Sequence, residues 1–312
     1  MNILGKRYLF FAISLAIIIP GMILTAMGLP LAIDFTGGSL LEIRFASGNI
    51  PPAAEVVALF NEMGVKDATV QPTSQDTLLA RFSFMEDIDD ATRAQITSGA
   101  VFAQRFNDEV TVLRFDSVGA SVGKEVAGRA AIAVGIAAAI VIIFIAYSFR
   151  GLSHAFRYGV CAIIAMIHDV AIVVSLGAIG GRLFGWQIDA LFLTALLTVI
   201  GFSVQDKIVV FDRIRENSNL YRKLNFETLV NHSIIQSLQR SINTQLMTVE
   251  FMLLALALFG GVTLREFAII LLVGLFSGTY SSIFIAASIL VVWENQEWKK
   301  WFRRGGATPA PA

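Results

Sequence analysis

Asp206 is an acid where acids are costly. It lies in Leu191–Phe211, LFLTALLTVIGFSVQDKIVVF, a run otherwise apolar and long enough to cross a bilayer. A charge in hydrocarbon costs several kcal/mol, and it is normally kept there for an ion path, a proton relay or a buried pair. On a helix, Thr194, Thr198, Phe202 and Asp206 recur every fourth residue, with Gly201 and Gln205 beside them. Such a polar, small-residue face is expected to look into a helix bundle, away from lipid. The chemistry on offer is reversible uptake of a proton or small cation. The plainer alternative is that Asp206 pairs with a cation and only holds helices together. Asp169, preceded by His168, is the second candidate. Adjacent helix positions point about 100° apart, so these two titratable groups need not touch. Proton transfer and simple orientation of neighbouring helices are evenly supported for them.

The elements that must position these residues are membrane helices. The chain has 312 residues, 55% hydrophobic and only 15% charged, with a mean hydropathy of +0.69. Soluble domains are nearer a quarter charged. Runs long enough to span lie near 8–29, 130–149, 156–179, 190–211, 244–262 and 266–293. The first follows Lys6-Arg7 but is too long for a signal peptide and shows no small-x-small cleavage site, which predicts a retained anchor. Basic residues gather at Lys6-Arg7, at Arg150 and Arg157, across Arg213–Arg240, and at Lys299–Arg304. With six spans these all fall on one side, so both termini are expected in the cytoplasm. The lone Cys161 sits in an apolar run and reads as a small hydrophobe. The expected organisation is residues 1–29 as N-terminus and first span, 30–128 as an outer domain, 129–293 as spans two to six, and 294–312 as a cytoplasmic tail.

The outer segment alternates between periods of two and 3.6. Leu40–Phe45, Ala68–Gln71, Leu78–Phe84 and Val110–Phe115 read as strands, with a turn at Ser74-Gln75-Asp76. Pro51-Pro52 opens one helix through Met63, and Asp90–Asn107 reads as a second. The order β-α-β-β-α-β is the split βαβ, ferredoxin-like α+β pattern. It holds no phosphate loop, metal-ligand cluster or nucleophile–base pair, so neither enzyme activity nor a cofactor or metal is expected.

Six spans with one large external domain after the first correspond to half of an RND-type transporter. Several motifs narrow this. Asp34-Phe35-Thr36-Gly37-Gly38 resembles the Asp-Phe-x-Gly-Gly motif of the SecD/SecF protein-export family, and Ser117–Gly123 fits its Val-Gly-rich entry to the second span. Ile167-His168-Asp169, Gly201–Asp206, Phe211-Asp212-Arg213-Ile214-Arg215-Glu216-Asn217 and Gly274-x-x-x-Gly278-Thr279-Tyr280-Ser281-Ser282 resemble the SecF side of that family. The resemblance covers nearly the whole chain up to the tail at 305–312. It implies a bacterial inner-membrane accessory subunit that uses a proton or sodium gradient to promote export of unfolded polypeptides. The implied partners are a SecD-like subunit, a SecYEG-type channel, the exported chain and a YajC-like small subunit; nucleic acid is not among them.

The resemblance also assigns roles. The family's coupling acid falls on Asp206 and its coupling arginine on Arg240, with Asp169 and Gln205 nearby. A guanidinium favours the charged form of a buried carboxylate, so moving Arg240 toward or away from Asp206 would release or load a proton. The chain departs from the family pattern at Phe202, Gln205 and Lys207, and Glu250 is an addition in the fifth span. Lys207 and Glu250 are expected either to pair between neighbouring helices, and with His168 to tune coupling, or Lys207 snorkels to the interface. Gly274, Gly278, Ser282 and Ala286 form a small-residue stripe suited to close packing against another helix, of this chain or of a partner. Asp212, Arg213, Arg215 and Glu216 suit a solvated helix surface. Two rival functions remain: an RND-type exporter of a lipid or small hydrophobic molecule, and an intramembrane aspartyl protease using Asp169 and Asp206.

Overall fold

The computed structural model describes residues 2–72, 76–84, 90–150, 155–245, 251–260, 262–297 and 299. They fall into two compact units, Pro30–Ala133 with Leu183–Ala190, and Met1–Leu29 with Val134–Arg182 and Leu191–Ala312.

The first unit starts with a short helix, α2 (Ile33–Thr36), after α1 (Arg7–Ala26) of the other unit. It continues through β1 (Gly38–Phe45), α3 (Ala53–Glu62), β2 (Thr69–Pro72), β3 (Thr77–Phe82), α4 (Asp90–Thr97), α5 (Ala100–Phe106) and β4 (Val110–Val118). The strands form one antiparallel sheet in the order β2-β3-β1-β4. Alternate residues point to one face. Leu41, Ile43 and Phe45 of β1 and Leu78, Ala80 and Phe82 of β3 pack there against Val56, Leu59 and Phe60 of α3, Ile96 of α4 and Phe102 of α5. A bulge between Glu42 and Ile43 leaves Leu113 of β4 unmatched and exposed.

The helix expected over Asp90–Asn107 is broken at Gly99, which takes φ 77°. The physical reason is phase. Ile96 and Phe102 are six residues apart and would project about 120° apart around one continuous helix, too far to share one face. A left-handed glycine ends α4 and restarts α5, so both side chains reach the core. The predicted turn at Ser74-Gln75-Asp76 lies mostly outside the described residues.

Asp34, Phe35, Gly37 and Gly38 form the corner from which the sheet begins. Phe35 is buried, and Asp34 Oδ2 accepts a hydrogen bond from the backbone N–H of Ala190 at 3.0 Å. A parallel bridge pairs Leu31 with Ile188 beside it. Gly37 and Gly38 have φ of 77° and 128°, a region only glycine adopts freely. A Cβ on Gly37 would lie 2.6 Å from Ala120 Cα, and one on Gly123 would lie 2.7 Å from Gly37 N. The two glycines therefore let backbone touch backbone. Gly48 has a similar φ of 71° with nothing within 4 Å, so it separates strain from clash. Gly48→Ala should cost about 1 kcal/mol and Gly37→Ala clearly more, about 3 kcal/mol. Equal thermal unfolding midpoints for the two purified variants would contradict the close-contact role.

The second unit is helical. It contains α1, most of α6 (Ala120–Ser148), α7 (Ala155–Phe184) and α8 (Ala190–Leu220), then α9 (Phe226–Gln245), α10 (Phe251–Phe259), α11 (Val262–Tyr280), a π-helical segment (Ser281–Ala286) and α12 (Ala287–Glu294). Among the described residues five helices are long and apolar enough to span a membrane: Leu4–Ala26, Ala120–Ser148, Phe156–Phe184, Ala190–Leu220 and Leu264–Glu294. The chain is a multi-pass membrane protein. Of the run expected at 244–262, Phe251–Phe259 is helix, while 246–250, including Glu250, lie outside the described residues. Helix α8 runs past the expected end at 211 as far as Leu220. There Arg213 pairs with Glu216 at 2.5 Å and Arg215 with Asp212 at 2.6 Å on its exposed surface.

Three segments of this unit meet at Arg7. Its guanidinium donates to Glu227 of α9 at 2.9 Å and to Glu297, just past α12, at 2.6 Å. Tyr8 Oη also donates to Glu297 at 2.7 Å. Burial pushes the Glu297 carboxyl up, but the hydrogen bonds from Tyr8 and Arg7 outweigh it and hold it below the ordinary glutamate range. A carboxylate so depressed adds stability above its ordinary value of 4.5, and that stability is lost as pH falls through its lower folded value. Wild type should therefore unfold at higher temperature than Glu297→Gln at neutral pH, with the gap closing only below about pH 4.5. A gap independent of pH would assign the effect to packing.

Candidate functional site

Both intramembrane acids are buried in the helical unit, in different company. Asp169, on α7, is 0% exposed. Its Oδ2 accepts from Lys207 Nζ at 2.7 Å, Ser203 Oγ at 2.6 Å and Ser281 Oγ at 2.6 Å. Its Oδ1 accepts from Ser277 Oγ at 3.0 Å and lies 2.9 Å from His168 Nδ1. Lys207 is itself 0% exposed and also donates to Ser203 Oγ and to the Ser203 carbonyl at 3.3 Å. The charge is thus matched and the carboxylate's lone pairs are filled, as a buried ion requires.

Lys207 therefore does not snorkel outward; its expected pairing with Glu250 lies outside the described residues. It turns into the bundle and neutralises Asp169. His168 and Asp169 do touch despite the 100° between them. The His168 ring stacks on Tyr280 at 6.3 Å, and its buried Nε2 has no hydrogen-bond partner among the described residues.

Asp206 is 8% exposed. One oxygen accepts from Ser241 Oγ of α9 at 2.6 Å, the other from Ser282 Oγ of the π-helical segment. No cation pairs with it among the described residues. It lines a small cleft of about 50 Å³ together with Phe202, Gln205, Val209, Arg240, Ser241, Thr244 and Gln245. Arg240 is exposed on α9 and borders this cleft without forming an ion pair with Asp206. A cleft of that size holds one or two waters or a small cation.

The face expected to look into the bundle turns inward only at its end. Thr194, Gly201 and Gln205 are exposed, Thr198 and Phe202 half-buried, and Asp206 buried. The row that packs lies one residue further round: Ala195, Val199, Ser203, Lys207 and Phe211 are all buried. Helix α11 packs on that row. A Cβ on Gly274 would lie 2.4 Å from a Val199 methyl, and one on Gly278 would lie 3.3 Å from Ser203 Cβ. The stripe of Gly274, Gly278, Ser282 and Ala286 is thus used within the chain, its glycines against α8 and Ser282 on Asp206, and Ser282 and Ala286 are 0% exposed. Asn217, the last residue of the Phe211–Asn217 motif, donates to Ser233 Oγ at 2.8 Å and to Gln236 Oε1 at 2.9 Å, tying α8 to α9.

The serines are what sequence reasoning missed. Ser203, Ser241, Ser277 and Ser281 supply most of the acids' hydrogen bonds. Ser203-x-x-x-Lys207 and Ser277-x-x-x-Ser281 are legible i, i+4 pairs, but nothing in the spacing tells which carboxylate they face. Ser281 and Ser282 are neighbours in sequence and serve different acids. They open the π-helical segment, a local widening of the helix often found at functional sites.

Comparison with known proteins agrees with this arrangement. Residues 98–296 match the model for "Protein export membrane protein SecD/SecF, C-terminal", and residues 23–48, which hold Asp34–Gly38, match "SecD/SecF GG Motif". The chain is 71% identical over 313 residues to the protein translocase subunit SecF of Anaerolinea thermophila, covering 100% of both chains. It is 46% identical to the corresponding subunit of Thermobaculum terrenum, covering 97% of each. A crystal structure of SecDF, a translocon-associated membrane protein from Thermus thermophilus, superposes with a TM-score of 0.81 at 32% identity. That match covers 95% of this chain and 39% of the longer one. The matched ranges cover the glycine corner and the helices that carry Asp169 and Asp206, and the chain belongs to the SecD/SecF family of protein-export membrane proteins.

Proposed function

We propose that this chain is the SecF-type accessory subunit of a bacterial protein-export machine, and that Asp206 couples ion movement to export. The observation that carries the coupling role is the contrast between the two acids. Asp169 is already neutralised by Lys207, whereas Asp206 is buried on two serine hydroxyls with no cation in contact among the described residues and a small cleft beside it. A buried charge without a counter-ion is costly, and the cleft beside it has room for one small cation. Arg240 and Gln205 border the same cleft and are placed to respond to that charge. Protonation would weaken the hold of Ser241 and Ser282 on Asp206, and so the docking of α9 and the π-helical segment on α8.

The same reading supplies the surroundings. The chain crosses the inner membrane six times, the run at 244–262 adding a fifth span in chain order to the five long helices, with both termini in the cytoplasm, a reading supported by the placement of the basic residues. The outer unit is a ferredoxin-like domain, a reading supported by its strand order and by helices packed on one face. A SecD-like subunit completes the bundle. Supporting this, the SecDF relatives carry a region like this chain within a longer polypeptide, of which it covers 39% in Thermus thermophilus. The apolar face of α6 is also open, with 6% of its spanning window buried. The channel partner is SecYEG-type, with a YajC-like subunit alongside, and the cargo is an unfolded polypeptide. The lipid-exporter alternative is not favoured by the relatives. A protease dyad needs two carboxylates sharing a proton, and here each acid holds its own set of donors.

The test is export of a precursor into inverted vesicles containing the chain and its SecD-like partner, with proton and sodium gradients imposed separately. Export should rise with one gradient and fall when it is collapsed, and the two subunits should co-purify. Export indifferent to both gradients would overturn the coupling reading.

A further inference from the structure

We propose that the Asp169 pocket is a monovalent-cation site whose permanent occupant is the chain's own Lys207 ammonium. The oxygens around Nζ form the argument. Asp169 Oδ2 stands at 2.7 Å, the Ser203 carbonyl at 3.3 Å, and Ser203 Oγ is in hydrogen-bond contact. Ser281 Oγ bonds the same carboxylate oxygen at 2.6 Å, and Ser277 Oγ bonds the other at 3.0 Å. Three oxygens thus face the ammonium, one from a carboxylate, one from a hydroxyl and one from a backbone carbonyl, the kinds of oxygen that hold an alkali cation inside a membrane protein, while Ser281 and Ser277 orient the carboxylate. All of these groups are buried: Asp169, Lys207 and Ser281 are 0% exposed, Ser203 1% and Ser277 7%.

They come from three helical stretches, α7, α8 and the α11–π junction, so the ammonium sits where those stretches converge. A tethered cation cannot dissociate. The lysine therefore fixes this pocket in its occupied form, holding the helices together without consuming an ion from solution. It is a specificity-determining residue: it reserves exchange with a free cation for another place in the bundle. The proposal stands apart from the role given to Asp206, because the response it predicts depends on Asp169 and Lys207 and not on Asp206.

The test uses the purified full-length chain in detergent, with chloride salts of sodium, potassium and choline at equal ionic strength. Lys207→Ala removes the ammonium and leaves room for an ion with water. Lys207→Met removes the charge but keeps most of the volume. Wild type should show no sodium response that depends on Asp169. Lys207→Ala should be destabilised in choline and regain about 3 °C or more in sodium, with saturable sodium binding by ²³Na NMR. Lys207→Met should show no sodium response beyond that of wild type, and adding Asp169→Asn to Lys207→Ala should abolish the gain. A Lys207→Ala chain equally unstable in sodium and choline, or unrecoverable in both, would overturn the proposal in favour of a plain structural ion pair. So would a sodium response in wild type that Asp169→Asn removes, because the pocket would then already exchange.

Discussion

Asp206→Asn is expected to reduce export to its gradient-independent level while leaving the chain inserted and assembled. Asparagine keeps the shape of the side chain. Its carbonyl can accept from one serine and its amide can donate to the other, since hydroxyl rotors adjust. What it cannot do is take up or release a proton. The structure sharpens the contrast with a purely structural role. Were Asp206 the buried partner of Arg240, its neutralisation would strand a charge in a low-dielectric site and cost about 3–5 kcal/mol. Arg240 is instead exposed, with no ion pair to Asp206. Abundance and co-purification with the SecD-like subunit should therefore stay normal. Export that still responds fully to the gradient at normal protein level would place coupling elsewhere.

The second large effect is one of stability and falls on the other acid. Asp169→Asn leaves the Lys207 ammonium buried and unmatched, which should cost about 3–5 kcal/mol and appear as a lower unfolding midpoint and reduced yield. Combining Asp169→Asn with Lys207→Met removes both charges while keeping volume and the serine hydrogen bonds. Most of the loss should return, so the coupling between the two changes should be at least as large as the stability recovered, about 3 kcal/mol. Additive losses in the double variant would mean that the pair is not energetically linked.

Much of this was legible in the chain. The apolar runs are long, and the strands and first helix of the outer unit follow their periods, so their types and order emerge from local chemistry. The break at Gly99 was not legible, because it depends on where Ile96 and Phe102 must point, and that is set by the sheet beneath them. At the site, Asp206 and Asp169 declare themselves as acids in hydrocarbon. Their difference does not. Whether Lys207 faces outward, toward Glu250 or toward Asp169 depends on rotation about helix axes, and the spacing of four to Ser203 fits any of these. The exposed Thr194 and Gly201 make the same point: an apolar helix in a membrane protein has no polar side to betray its orientation, because lipid and bundle interior are equally oily.

Ser281 and Ser282 share one peptide plane, so their Cα atoms are held about 3.8 Å apart whatever the helix around them does. Through that rigid link the two carboxylates are geared together. Ser281 grips Asp169 and Ser282 grips Asp206, like two teeth on one short crank. Turning the crank enough to free one tooth drags the other in its socket. The Asp169 socket is stiff, clamped by an ion pair and three hydroxyls, whereas the Asp206 socket has a cleft to move into. A displacement of this joint would therefore be resisted at Asp169 and taken up at Asp206.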